Sequence, residues 1–228
     1  MKALVMLAGG TDGAILTALA VKKYKADNVK TISFFYGQKG KRELNSAKRI
    51  SEFYNVDNIC LDISKHFKGL RGTVLVGNGD ISKDAYETRL KEAEKCALEE
   101  YVPCRGNVFW SIAASEAMKF GFDVILDSIN ADSSFNGGYL DKTPAFANEM
   151  QRAIYDGSGR VLNLDVPFMT LSKDDVLKKG IEMDVPLDLT YGCYEGHDKP
   201  CGVCLNCRDR KRAFREAGLK DPTIYEVV

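Results

Sequence analysis

Short apolar runs alternate with amphipathic stretches along most of the chain, and this alternation predicts its elements. Residues 3–7 are wholly apolar, the pattern of a parallel strand buried on both faces. A turn follows through Ala8, Gly9, Gly10, Thr11, Asp12 and Gly13. From Ala14 onward Ile15, Leu16, Leu19 and Ala20 share one helical face. Val29–Phe35 predicts a second strand. Leu44, Ala47, Ile50 and Tyr54 predict a second helix, and residues 59–63 a third strand. A β-α-β-α-β order demands parallel strands joined by right-handed crossovers.

Residues 64–100 break the rhythm with Gly69, Gly72, Gly77 and Gly79 and then a charged run over 83–94. This stretch reads as an excursion from the sheet, a surface insertion with one solvated helix rather than a lid. A helix over 108–120 buries Trp110, Ala113, Ala114, Ala117 and Met118. A strand over 124–128 leads into a polar, Gly-rich loop over 130–142. Thr143 followed by Pro144 predicts an N-cap with proline at the first helical position. After a strand over 161–166, Ser172 and Asp175 form a capping box for a helix ending near Gly180. A basic helix over 208–217 closes the pattern. The expected fold is α/β, a doubly wound, mainly parallel sheet in one domain spanning 1–228.

Charge narrows the partners. Thirty-two basic residues balance 32 acidic ones, so no general attraction to nucleic acid or to an anionic membrane is expected. Met1 and Lys2 lead straight into a strand without a signal-peptide core, and no apolar run reaches a membrane span. A cytoplasmic protein is expected. Seven cysteines are an odd number, which excludes a complete internal disulfide framework.

Four of those cysteines crowd together. Cys201, Cys204 and Cys207 lie at C-x-x-C-x-x-C spacing, with Cys193 upstream and Pro200 and Gly202 suited to the tight turn. Four thiolates match the tetrahedron of a closed, structural zinc site within residues 190–217. An iron–sulfur cluster also takes four thiolates. A redox pair is expected in a different context, at a helix start near the N-terminus of a thioredoxin-like fold. His197, inside the cluster, reads as a loop residue.

The strand–glycine turn–helix at the N-terminus aims free N–H groups and a helix start at an anion. It is neither the dinucleotide fingerprint nor a P-loop. It does resemble the pyrophosphatase-type loop S-G-G-x-D-S of ATP-dependent adenylating enzymes. Within that group, further segments are similar to the 7-cyano-7-deazaguanine synthase (QueC-like) family. Phe35-Tyr36-Gly37-Gln38 with Glu43 resembles its F-x-Y-G-Q…E, and Val102-Pro103-Cys104-Arg105 its V-P-x-R-N. Asp132 with Gly138-Tyr139-Leu140-Asp141 resembles D-x-S-G-Y-P-D-C-R, and Leu171-Ser172-Lys173 resembles L-T-K. Thr190 to Tyr194 and Cys201 to Cys207 resemble T-W-S-C-Y and C-G-x-C-x-x-C. These segments cover nearly the whole chain in the same order.

The resemblance implies an enzyme that uses ATP and Mg²⁺ to adenylate the carboxylate of 7-carboxy-7-deazaguanine. Ammonia then forms an amide, and a second activation yields the nitrile. It also implies a structural zinc on Cys193, Cys201, Cys204 and Cys207, and a homodimer. Adenylation gives a carboxylate a good leaving group, and Ala8 to Gly13, the helix start and Lys173 could hold the pyrophosphate. Asp12 could ligate Mg²⁺ or cap the helix. Phe34 and Tyr36 are placed to line the adenine site, or are ordinary strand-end aromatics. Arg105 could face phosphate or the substrate carboxylate, or pair with Glu99 or Glu100. Asp132, Gly138, Tyr139 and Asp141 fall in the substrate loop, where Tyr139 and Asp141 could grip the deazaguanine edge; the alternative is a loop bonded to itself.

The departures gather at the chemistry. Ala8 and Gly13 stand where the family loop has serines, and a lost hydrogen bond to a charged group costs about 1.5–3 kcal/mol. Gly106 replaces an asparagine, Lys142-Thr143 replaces C-R, and extra residues lie between Asp132 and Gly138. Three readings follow: the family reaction or its amide half, conjugation of the same carboxylate to a protein amine as in QueC-like proteins of bacterial defence systems, or a degenerate nucleotide-binding subunit without turnover. Retention of Asp12, Lys173, Tyr139 and Asp141 favours catalysis.

Overall fold

A computed structural model describes residues 1–227. Five parallel strands form one sheet in the order β3-β2-β1-β4-β5: β1 (Ala3–Met6), β2 (Val29–Phe35), β3 (Asp57–Asp62), β4 (Val124–Leu126) and β5 (Asn163–Asp165). Among the described residues eight α-helices accompany them: α1 (Thr11–Tyr24), α2 (Arg42–Phe53), α3 (Ser64–Phe67), α4 (Tyr86–Ala93), α5 (Arg105–Phe120), α6 (Pro144–Gly157), α7 (Lys173–Glu182) and α8 (Leu205–Glu216).

The apolar run at the N-terminus becomes the central strand, and its alternation divides the core. Ala3, Val5 and Leu7 pack with Ile15, Ile50, Val176 and Phe214, which places α1, α2, α7 and α8 on one face. Leu4 and Met6 pack with Trp110, Ala113, Ala147 and Ile154, which places α5 and α6 on the other. The chain runs outward through β2 and β3, then returns to the far side of β1 at β4. That reversal opens a crevice beyond the C-terminal ends of β1 and β4, the place where open α/β sheets bind ligands. Gly180 in α7 lets that helix rest on Ile15 of α1, because a Cβ there would come within 2.7 Å of Ile15 Cγ1.

Three expectations change. Met118, expected on the buried face of α5, is exposed. Residues 64–100 are not a plain surface insertion: Phe67, Leu75 and Ile81 join the main core, while Ala93 and Leu98 pack on Phe135 and Tyr139 under the 130–142 loop. Arg89 of α4, inside the charged run, is buried against Glu100, which is itself fully buried. The excursion therefore buttresses the loop. Helix α5 also starts earlier than its apolar periodicity, at Arg105, after Cys104 takes φ +60°.

Among the described residues no helix is long and apolar enough to cross a membrane.

Candidate functional site

The crevice holds a cavity of about 290 Å³. Its floor is the turn between β1 and α1. Gly9 has φ +107°, and a Cβ there would stand 2.1 Å from the Glu43 carbonyl oxygen of α2. Glycine is required on both counts, for left-handed backbone and for the close approach. Gly9→Ala is expected to lower stability by about 2–5 kcal/mol, from strain plus overpacking. A thermal melt would read this as a fall of roughly 5–15 °C. Gly9 is also tied to the C-terminal third of the chain, since the Tyr191 N–H donates to its carbonyl at 2.9 Å.

Gly10 is the N-cap of α1 and offers no side chain to cap it. Among the described residues, no protein acceptor takes a hydrogen bond from the N–H groups of Ala8, Gly9 and Gly10. Together with the start of α1 they form a row of donors fit for a phosphate.

A charge network stands beside this row. Lys173, at the first turn of α7, lies 2.5 Å from Asp209 Oδ2 and 3.8 Å from Asp12 Oδ2. Burial alone would push the Lys173 ammonium down, but the Asp12 and Asp209 carboxylates outweigh it and hold its pKa above the usual value. Burial likewise works against the Asp209 carboxylate, and Lys173 and Arg212 overcome it, so its pKa is lowered. Asp12 also accepts from Asn130 Nδ2 at 3.0 Å. It therefore acts neither as a lone surface carboxylate nor as the helix N-cap.

The side wall is aromatic and cationic. Phe34 stacks on Phe109 with centroids 4.5 Å apart, and Tyr36 meets Phe109 edge-on. Arg105 donates to the Tyr36 hydroxyl at 3.1 Å, while Glu100, its alternative partner, is taken by Arg89. Lys142 lies over the Tyr139 ring, and burial followed by the Arg105 charge lowers its pKa. No carboxylate forms an ion pair with Arg105 or Lys142 among the described residues.

Two carboxylates close the far end. Asp127, just past β4, accepts from Trp110 Nε1 at 2.6 Å and from the Ser128 N–H at 2.7 Å; burial raises its pKa despite them. Asp141 Oδ2 accepts from the Gly106 N–H at 2.9 Å, at the start of α5, while its buried Oδ1 has no partner. Gly106 makes room for this, since a Cβ there would be 3.0 Å from Asp141 Oδ2.

The residues singled out in the sequence divide into two groups. Ala8, Gly10, Thr11, Asp12, Gly13, Phe34, Tyr36, Arg105, Asp141 and Lys173 border the cavity. Gly9 faces α2, and the other three stand behind the wall. Asp132 accepts from the Lys173 N–H and from Arg212. Gly138 packs on Leu98 and Ala93. Tyr139 is buried, with its hydroxyl 2.9 Å from that of Tyr194, which does border the cavity. Asp127, Asn130 and Asp209 were not singled out, and Lys142 and Tyr194 were named only within motif segments, without a role. Asp127 was recoverable from its place at the end of a strand beside the reversal. Asp209 was not, being one acid in a basic helix.

The four cysteines converge. Cys193, Cys201, Cys204 and Cys207 are all buried, with sulfurs within 4.8 Å of one another. The N–H groups of Cys201, Val203 and Cys204 point at sulfur, at 3.3 to 3.5 Å. A single tetrahedral ion with bonds of about 2.3 Å sets its sulfurs about 3.8 Å apart, so the donor set fits a metal ion. His197 bonds Glu226 instead and stays outside. Cys193, Cys207 and neighbouring Tyr191 border the main cavity, so the metal-binding segment is part of its wall.

A family model described as "Queuosine biosynthesis protein QueC" matches residues 2–218. The chain is 35% identical over 229 residues to a 7-cyano-7-deazaguanine synthase of Thermoplasma volcanium, covering 98% of this chain and 90% of the relative. It is 34% identical to the Oceanobacillus iheyensis protein of the same name, covering 98% of each. In structure it resembles an NMN synthetase from Francisella tularensis, with a TM-score of 0.52 at 16% identity, over 96% of this chain and 78% of the other, a likeness of fold.

Proposed function

The chain belongs to the QueC family of queuosine biosynthesis proteins, ATP-dependent enzymes, and from that premise we propose that it adenylates the carboxylate of 7-carboxy-7-deazaguanine and joins the carbon to nitrogen as an amide. One observation carries this reading: a single cavity holds a row of unpaired phosphate donors, two cations without carboxylate partners and one buried acceptor without a donor. A buried polar group left unpaired costs about 1–3 kcal/mol, which a matching ligand returns.

The loop from Ala8 to Gly13 and Lys173 take the β- and γ-phosphates. Asp12, the carboxylate nearest those donors, would hold Mg²⁺, which supplies charge neutralisation for the leaving pyrophosphate. Phe34 and Tyr36 offer the adenine an apolar edge. Asp141 Oδ1 accepts N–H donors from the deazaguanine edge. Arg105 and Lys142 draw the substrate carboxylate toward the α-phosphoryl group and carry the negative charge that develops in the transfer. The backbone donors remain although Ala8 and Gly13 bring no hydroxyls, which favours turnover over a degenerate loop. The compact four-sulfur cluster supports zinc, since an iron–sulfur cluster spreads its thiolates over several irons.

Mass spectrometry of products from protein, ATP, Mg²⁺, 7-carboxy-7-deazaguanine and ammonia tests the proposal. Free amide or nitrile that requires ammonia is the expected result. AMP release without free amide would move the nitrogen donor to another amine, such as one on a protein. No ATP consumption with this acid would overturn the reading.

A further inference from the structure

We infer that Glu43 is the base that deprotonates the attacking amine. This rests on the adenylation proposed above. Glu43 sits in the first turn of α2 and borders the cavity. Its backbone carbonyl presses on Gly9, so the residue is fixed relative to the phosphate loop. Gln38 holds its Oε1 at 3.0 Å, and Gln38 is itself anchored by the Tyr36 N–H and the Phe34 carbonyl at the end of β2. Glu43 Oε2 has no hydrogen-bond partner among the described residues.

An amine presented as its ammonium ion cannot attack an acyl adenylate until it loses a proton. The other carboxylates around the cavity are held by the protein, and the free Oδ1 of Asp141 is assigned above to the deazaguanine edge. Asp12 and Asp209 face Lys173; Asp127 holds two N–H donors; Asp141 holds the α5 N–H. Glu43 is held only by a neutral amide. The groups facing it are the Gln38 amide, the Tyr36 phenol, and the Arg105 and Lys142 cations from α5 and the 130–142 loop. Burial pushes its carboxyl up to about 7, against the pull of Gln38, Arg105 and Lys142. A base serves best when its pKa lies near the working pH.

The step balances. Glu43 takes one proton from the ammonium ion, and the freed lone pair forms the bond to the acyl carbon. The carbon–oxygen bond to AMP then breaks with its electrons going to the phosphate, and a second proton passes from nitrogen to the departing AMP phosphate to give the amide.

Glu43→Gln keeps the size and the contact with Gln38 and tests the role. ATP–pyrophosphate exchange with 7-carboxy-7-deazaguanine reports activation, and amide formation from ammonia reports the nitrogen step. Amide formation is expected to fall about 100-fold relative to exchange, and to lose its rise with pH up to about 7. Hydroxylamine, largely unprotonated at neutral pH, is expected to restore product formation in the variant. Equal losses in both steps, or a defect that persists with hydroxylamine, would overturn the assignment. Absence of exchange in the unaltered protein would overturn the adenylation reading itself.

Discussion

Replacement of Asp12 by asparagine is expected to slow ATP turnover by about 100-fold or more while the fold persists. Asp12 lies in the first turn of α1, and its carboxylate reaches Lys173 at 3.8 Å. Asparagine keeps an acceptor for Asn130 but removes the charge available to a magnesium ion. Removing one preorganised electrostatic group at a reacting centre commonly costs about 100- to 1,000-fold. Stability should move little, because Lys173 keeps Asp209 at 2.5 Å. A shift of about 1 kcal/mol would move the melting temperature by only 2–4 °C in a chain of this size. Lys173→Met provides the contrast. It strips Asp12 of its cation and leaves the buried Asp209 with Arg212 alone, and breaking a buried pair costs up to about 3–5 kcal/mol. Activity and melting temperature should therefore fall together. Steady-state ATP hydrolysis and thermal melts on both variants check the pair. Loss of folding in Asp12→Asn would make the network structural rather than functional.

The second large effect is expected at the cysteine cluster. Cys204 is fully buried, and its sulfur lies within 4.8 Å of the other three. Cys204→Ser leaves three thiolates and one hydroxyl, a poor set for a soft site. Bound zinc is expected to fall from one per chain to near zero, as read by elemental analysis. Structural zinc contributes folding energy directly, on the order of 10 kcal/mol in isolated zinc-finger peptides. Within a larger domain a melting-temperature loss of about 10 °C or more is expected. Activity should go too, although four thiolates would leave a bound zinc ion no open position for chemistry. Tyr191, Cys193 and Tyr194 form part of the cavity wall, and Tyr194 holds the Tyr139 hydroxyl beneath the 130–142 loop. Chelation of the unaltered protein followed by zinc addition separates metal loss from misfolding. Activity that survives complete metal removal would show that the wall stands without it.

Much of this arrangement was legible before the fold was known, and for identifiable reasons. The β1–turn–α1 unit is local: an apolar run, two glycines and an amphipathic stretch specify it without distant contacts. The Thr143 and Ser172 caps are equally local, and both side chains accept the expected backbone N–H groups. The cysteine cluster was readable because chelating spacing is itself a geometric constraint. What could not be read depended on tertiary packing. Arg89 looks like one more solvated charge until Glu100 is folded beneath it. Arg105 and Gly106 look like loop because a proline precedes them, yet they begin α5 and offer an N–H to Asp141. Asp132 and Tyr139 belong to one loop segment with Asp141, but only Asp141 reaches the cavity, because α7 and α8 claim Asp132 and Tyr194 claims Tyr139. Glu43 was legible as the acid of the F-x-Y-G-Q…E segment but not in its role, since its raised carboxyl arises from burial in the folded chain.

The hydrogen bond from Tyr191 to Gly9 also bears on the order in which the protein is made. Gly9 leaves the ribosome well before Tyr191, with most of the sheet and its helices made in between. At 5–20 residues per second, the delay between them is on the order of ten seconds or more. During that interval the turn after β1 lacks Asp209 and the segment that backs the turn, and for most of it Lys173 as well. A growing chain therefore carries an unfinished cavity until the cysteine segment arrives, so a fragment that stops short of Tyr191 lacks part of the wall on which the proposed reaction depends.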